Sequence, residues 1–175
     1  TQPAGRCGLL VEWGDPGPLQ LDDDATAIKG KLYAISALGS REVLNRATGE
    51  LVPVNNVNAP HAIDGINYAP FAAFGGWAGA VNKGADQKTK DAAYAFLSYM
   101  NQSAQSSVDV TIGATGYNPY RLSQLSSPDL FVKAGMPQAL AENYIGAING
   151  ALNSLNMASD MKIPGAQKYT SVVLD

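Results

Sequence analysis

The chain has 175 residues, enough for one or two small compact units, and only 15% of them are charged against roughly 25% in an average soluble domain. The net charge of −3 is spread along the sequence with no basic stripe, which excludes the clustered cations that nucleic-acid phosphates require. No apolar stretch approaches the ~20 residues needed to cross a bilayer. The start, Thr1-Gln-Pro-Ala-Gly5, carries neither Met nor a charged-then-apolar leader, and reads as a processed or cut end.

Cys7 is the sole cysteine, so neither an internal disulfide nor a multi-thiolate metal site can form. It reads as a small buried apolar residue, or as one half of a disulfide to a residue outside this chain. Gly8-Leu-Leu-Val-Glu-Trp13 reads as a short buried strand ending in the turn Gly14-Asp-Pro-Gly17. Asp22-Asp-Asp24 offers a cap for a short helix over 25–28, and Leu32 to Leu38 reads as a second strand. The acidic run lacks the alternating spacing and closing Glu of a Ca²⁺ loop.

Residues 42–45 and 51–54 flank a five-residue link containing Gly49, the pattern of a hairpin whose second strand Pro53 places at an edge. From Asn55 to Pro70 the chain is rich in Asn and Pro without periodicity and is expected to be an ordered surface loop; His61 is an ordinary polar residue of it. Gly75 to Asn82 reads as a Gly-rich strand. It has no GK[ST] ending and no Rossmann spacing, so a phosphate loop is discounted.

The clearest helix spans Asp86 to Asn101, capped by Asp86, with Ala93, Phe96, Leu97 and Met100 on one apolar face. Asn101-Gln-Ser103 is a glycosylation sequon. Ser127-Pro-Asp129 opens a short helix running to Gly135. Pro137 opens a longer one with Leu140, Tyr144, Ile148, Leu152 and Leu155 on a stripe. Pro164 opens a last helix carrying Ala166, Tyr169, Val172 and Val173. The chain stops at Asp175 with no Gly or Pro stop signal, as an incomplete domain would.

The run Phe74-Gly-Gly-Trp-Ala-Gly-Ala-Val-Asn82 followed by the helix with Ala92, Ala93, Phe96 and Leu97 resembles the family 1 extracellular solute-binding proteins, the maltose-binding-like receptors of ABC importers. Val11-Glu-Trp-Gly-Asp15, Gly113-Ala-Thr-Gly-Tyr-Asn-Pro-Tyr-Arg121 and Ile163-Pro-Gly-Ala-Gln-Lys-Tyr169 are similar to later segments of the family in the same order, although the Gly-to-Pro spacing of the second differs. The resemblance covers Gly8 to Asp175 and only the later part of the family's chain. The segment 39–70 is longer than in bacterial relatives. Here the chain is similar to eukaryotic algal versions, in which the domain is the outer part of a membrane receptor.

The resemblance implies an α/β, periplasmic-binding-protein-like (type II) two-lobe architecture, incomplete here, with elements of both lobes in 1–175 and a hairpin-and-loop insertion at 39–70. It implies reversible, non-catalytic capture of a small polar solute in an interlobe cleft, for transport or sensing, without a cofactor or metal. Its setting would be extracellular or periplasmic, membrane-tethered through segments outside this chain. The partners implied are the ligand, a membrane transporter or receptor remainder, and missing parts of the same domain.

Trp13, Trp77, Tyr117 and Tyr169 are the aromatics at matched positions, suited to stacking on a ligand. Asn118, Arg121 and Gln167 are the polar candidates, Arg121 as a fork for a carboxylate or as half of an ion pair. Glu12 and Asp15 read as strand-end and turn residues rather than an acid/base pair. The alternative function is a structural or protein-interaction ectodomain that keeps the fold without the ligand.

Overall fold

The computed structural model describes residues 4–21, 26–72, 76–159 and 163–174. The acidic run at 22–24 and the glycine-rich start at 73–75 lie outside the described residues. The chain divides into two compact units, one from 1–36 and 79–150, the other from 37–78 and 151–175, so it passes between them at 36/37, 78/79 and 150/151.

The first unit is helical. Pro16–Leu19 forms the single turn α1, opened by a proline whose fixed φ suits a helix start. Helix α2, Gln87–Met100, begins where Asp86 accepts from the Thr89 amide at 3.0 Å and the Thr89 hydroxyl at 2.7 Å. The same two bonds hold the Asp86 carboxyl below its ordinary value. Helices α3 (Ser103–Asp109), α4 (Leu122–Leu125), α5 (Asp129–Lys133) and α6 (Gln138–Leu152) follow, with a 3-10 turn at Gly113–Thr115.

The core of this unit is Val110, Leu125, Phe131, Met136, Leu140, Ala141, Tyr144 and Ile145. The Phe131 and Tyr144 rings meet edge to face at 5.1 Å, the arrangement that aromatic quadrupoles favour. The apolar stripe of α6 therefore sits as its spacing predicts over Leu140 and Tyr144, while Leu152 and Leu155 are exposed. Helix α2 keeps its length and cap but buries none of its residues, and Phe96, expected on its inner face, is exposed.

Three expected strands are absent: residues 8–13 and 32–38 have no ladder, and the described part of 75–82 has none either. In place of a ladder, the Asn143 side chain accepts from the Ala34 amide at 2.7 Å and donates to its carbonyl at 2.9 Å. One amide side chain thus satisfies both backbone groups that a neighbouring strand would have satisfied. Residues 26–28 are not helical, correcting the short helix expected there. Cys7 is exposed, not buried.

The second unit contains the expected hairpin, β1 (Glu42–Leu44) against β2 (Leu51–Pro53), antiparallel with Val43 opposite Val52. Segment 39–70 lies wholly within this unit. The loop after it hides a second, tighter hairpin: Ile63 and Ile66 exchange both backbone bonds at 2.9 Å across Asp64-Gly65. Both turn residues have positive φ, 52° and 74°, as primed hairpin turns demand. The Asp-Gly pair carried that signal. Asn55 and Asn58 fold the intervening turn by accepting and donating to nearby backbone, which accounts for the asparagine content. Strands β3 (Phe71–Ala72) and β4 (Ala158–Ser159) pair in parallel, and Asn156 donates to Asn67 Oδ1 and the Tyr68 carbonyl beside them. Helix α7 spans Ala166–Leu174, close to where the sequence places it.

Truncating the fully buried ring should be the most damaging single change. Phe131→Ala is expected to lower stability by about 3–5 kcal/mol, read as a reduced urea midpoint at unchanged m-value.

Candidate binding cleft

A cleft of about 380 Å³ lies wholly within the first unit, in the size range of small-molecule sites. Its walls are the segment from Cys7 to Gln20 and the segment from Ile28 to Ile35, with Asn143 and Tyr144 of α6 between them. Trp13 and Tyr33 supply aromatic surface, Glu12 and Lys31 the charges.

The floor depends on two glycines. A Cβ at Gly17 would meet the Tyr144 ring at 2.5 and 2.6 Å, and one at Gly14 would collide with Asn118 Oδ1 and lie 3.3 Å from the Tyr144 hydroxyl. Neither glycine has positive φ. Gly14-Asp-Pro-Gly17 is therefore more than a turn: lacking side chains on both sides of α1's start, it lets the Tyr144 ring in. Asn118 donates from Nδ2 to Asp15 Oδ1 at 3.1 Å, tying the Tyr117-Asn118 segment to the same turn.

Three buried polar atoms here have no hydrogen-bond partner within the described residues: Gln20 Oε1, Asn118 Oδ1 and the Tyr144 hydroxyl. Gln20 and Tyr144 line the cleft, and each is only 4% exposed. The Gln20 amide is oriented by its donation from Nε2 to the Leu32 carbonyl at 3.4 Å, which leaves Oε1 as the unmatched end. Burial pushes the Tyr144 phenol well above its ordinary value, and the negative charge of Asp15 adds to the shift. Tyr144 is therefore a neutral hydroxyl, able to donate or accept.

The candidates named from sequence divide between the units. Trp13 lines the cleft; Asn118 and Tyr117 lie in the same unit, Asn118 against the turn that forms the cleft floor and Tyr117 packed against the core. Trp77, Gln167 and Tyr169 belong to the second unit and are exposed, Trp77 at 81%. Arg121 has a structural role. Its Nε donates to Ser106 Oγ at 3.0 Å and its Nη2 to the Asn101 carbonyl, and its guanidinium lies 5.6 Å from the Tyr120 ring centre. Buried Gln124 completes this knot by accepting from the Tyr120 and Arg121 amides and donating to Ser106. Asn101 caps the end of α2 by donating to the Leu97 carbonyl.

Glu12 accepts from the Trp13 amide and Asp15 from Asn118, so the two carboxylates hold separate partners. Sequence reasoning missed Gln20, Tyr33, Asn143 and Tyr144. Only the Gly-x-x-Gly spacing hinted at the last of them. Among the described residues no group of three or more His, Cys, Asp or Glu side chains is placed to hold a metal ion, and no helix is long and apolar enough to cross a membrane. No family model, curated protein or solved structure matches the chain.

Two variants separate architecture from site. Tyr144→Phe removes an unpartnered hydroxyl and should leave stability at neutral pH unchanged or slightly raised. Because the folded state holds the phenol proton more tightly, the native protein should lose stability as pH rises above 10.0, the ordinary tyrosine value. The Phe variant should lack that part of the alkaline loss in denaturation curves run from pH 8 to 11. Arg121→Ala should instead lower stability by about 1–3 kcal/mol by taking one donor from Ser106 and unpairing the Asn101 carbonyl, without altering ligand affinity in calorimetry.

Proposed function

We propose that the protein is a non-catalytic binder of a small solute, captured in the cleft floored by Tyr144 and Gln20. The observation that carries this reading is the pair of buried, unmatched polar groups on the cleft lining. An unpaired buried polar group costs about 1–3 kcal/mol, and a ligand that pairs with it recovers that energy on binding. Orientation by a few such groups within a partly aromatic wall is the ordinary design of a small-molecule site.

The resemblance to family 1 solute-binding proteins supports the same reading, as does a chain that passes three times between two compact units. The α/β, type II two-lobe architecture belongs to this proposal, as does a setting outside the cytoplasm, for which the charge-poor composition and the sequon at Asn101 speak. A partner transporter or receptor would read the liganded state. Because a ligand shifts a conformational equilibrium only through its differential affinity, moving a population from 1:99 to 99:1 takes about 5.5 kcal/mol.

The interaction-ectodomain reading is favoured by a different observation: in the first unit Leu9, Val11 and Ile35 and, on α2, Tyr94 and Phe96 are exposed, and such side chains form a partner-binding face where they are contiguous.

Thermal denaturation against a panel of sugars, amino acids, amines and carboxylates decides between the two. A ligand at 100 times its Kd should stabilise the protein by about 2.7 kcal/mol, and Trp13→Ala should abolish the shift. A folded protein that shifts with no compound overturns the capture reading in favour of the interaction ectodomain.

A further inference from the structure

We infer that the cleft takes a small organic amine in its ammonium form, held by Gln20 Oε1, the Tyr144 hydroxyl and the Glu12 carboxylate with its apolar part against Trp13 and Tyr33. This assignment rests on the capture reading and adds the chemical class.

The buried polar atoms left over along the cleft call for a donor. Each amide that faces it spends one of its two N–H donors inside the protein: Gln20 Nε2 on the Leu32 carbonyl, and Asn143 Nδ2 on the Ala34 carbonyl. Asn143 Oδ1 is engaged too, by the Ala34 amide. What remains unmatched is Gln20 Oε1, an acceptor only, and the Tyr144 hydroxyl, which can accept. Glu12, also on the lining, is acceptor-only when ionised. A second carboxylate, Asp15, stands between the lining residues Gly14 and Pro16 in the chain.

The lining's two charges, Lys31 and Glu12, are both solvent-exposed, whereas Gln20 Oε1 and the Tyr144 hydroxyl are buried. A carboxylate ligand would face Glu12 and Gln20 Oε1 with repulsion at both. A polyol could donate to Gln20 Oε1 as well, but it carries no charge for Glu12 or for the ring faces to attract. An alkylammonium brings three donors and no acceptor, and its charge is attracted to the faces of Trp13 and Tyr33 within about 6 Å of a ring centre. The size of the cleft suits a short amine of a few carbons.

Isothermal titration of the folded chain with 1,4-diaminobutane, maltose and succinate tests this. The expected result is saturable binding of 1,4-diaminobutane alone, weakened at least tenfold in Glu12→Gln and in Tyr144→Phe, with both variants melting like the native protein. Affinity should also fall as salt is raised, and the monoamine 1-aminobutane should bind where butan-1-ol does not. Binding of maltose or succinate that is lost in Trp13→Ala would overturn the amine assignment while keeping the capture reading. Diamine binding unchanged in both Glu12→Gln and Tyr144→Phe would also overturn it, since the amine would then sit elsewhere. No binding of any of the three overturns the assignment, and silence across the wider panel above overturns the capture reading with it.

Discussion

The first unit is organised around one aromatic ring. Tyr144 projects from α6 into a gap that exists only because Gly14 and Gly17 have no side chains. On one side its ring meets Phe131 edge to face, and through it the core cluster of α5 and α6. At the other end its hydroxyl reaches the cleft floor, beside the turn where Asn118 holds Asp15. The same residue is thus core and site. Moving the ring to relieve its unmatched hydroxyl would open a cavity against Phe131, which is why close packing can hold a polar atom in an unfavourable place.

Amide side chains do the work that regular sheet and ion pairs do in more charged proteins. Asn143 takes the place of a strand against Ala34. Gln124 gathers two backbone amides and Ser106 under α4. In the second unit Asn58 and Asn156 tie loop carbonyls. Each bond contributes about 1 kcal/mol net, yet each also orients a segment that lacks a ladder. Composition showed the charge deficit and the excess of Asn and Gln; what those amides do is visible only in three dimensions.

The helices were legible in the sequence because their signals are local. Asp86 and Thr89 set the start of α2, and the spacing of Leu140 and Tyr144 set the buried stripe of α6. The hairpin β1–β2 was legible for the same reason. The strands expected at 8–13, 32–38 and 75–82 were read from apolar runs, and a short apolar run specifies an extended segment without specifying a neighbour to pair with. The cleft was legible only at Trp13 and, at its edge, Asn118. Gln20, Asn143 and Tyr144 act through contacts with residues far away in the chain, and no local pattern marks them. Arg121 illustrates the reverse: a guanidinium in a ligand-like motif is drawn into the Ser106–Gln124 knot by partners the motif does not contain.

A fold that optimised stability alone would pair or delete the Tyr144 hydroxyl and Gln20 Oε1, since a buried polar group without a partner opposes folding. Phenylalanine and leucine would fill the same volume at both positions. Their retention beside a cleft, unmatched where the neighbouring Asn143 amide is paired at both ends, is a local departure from consistency of the kind that binding sites show. The structural knot at Arg121 makes the contrast within the same unit: there the guanidinium and the Gln124 amide are spent on Ser106 and on backbone groups. The two clusters are built from the same residue types, so the difference between scaffold and site lies in the accounting of hydrogen bonds rather than in composition.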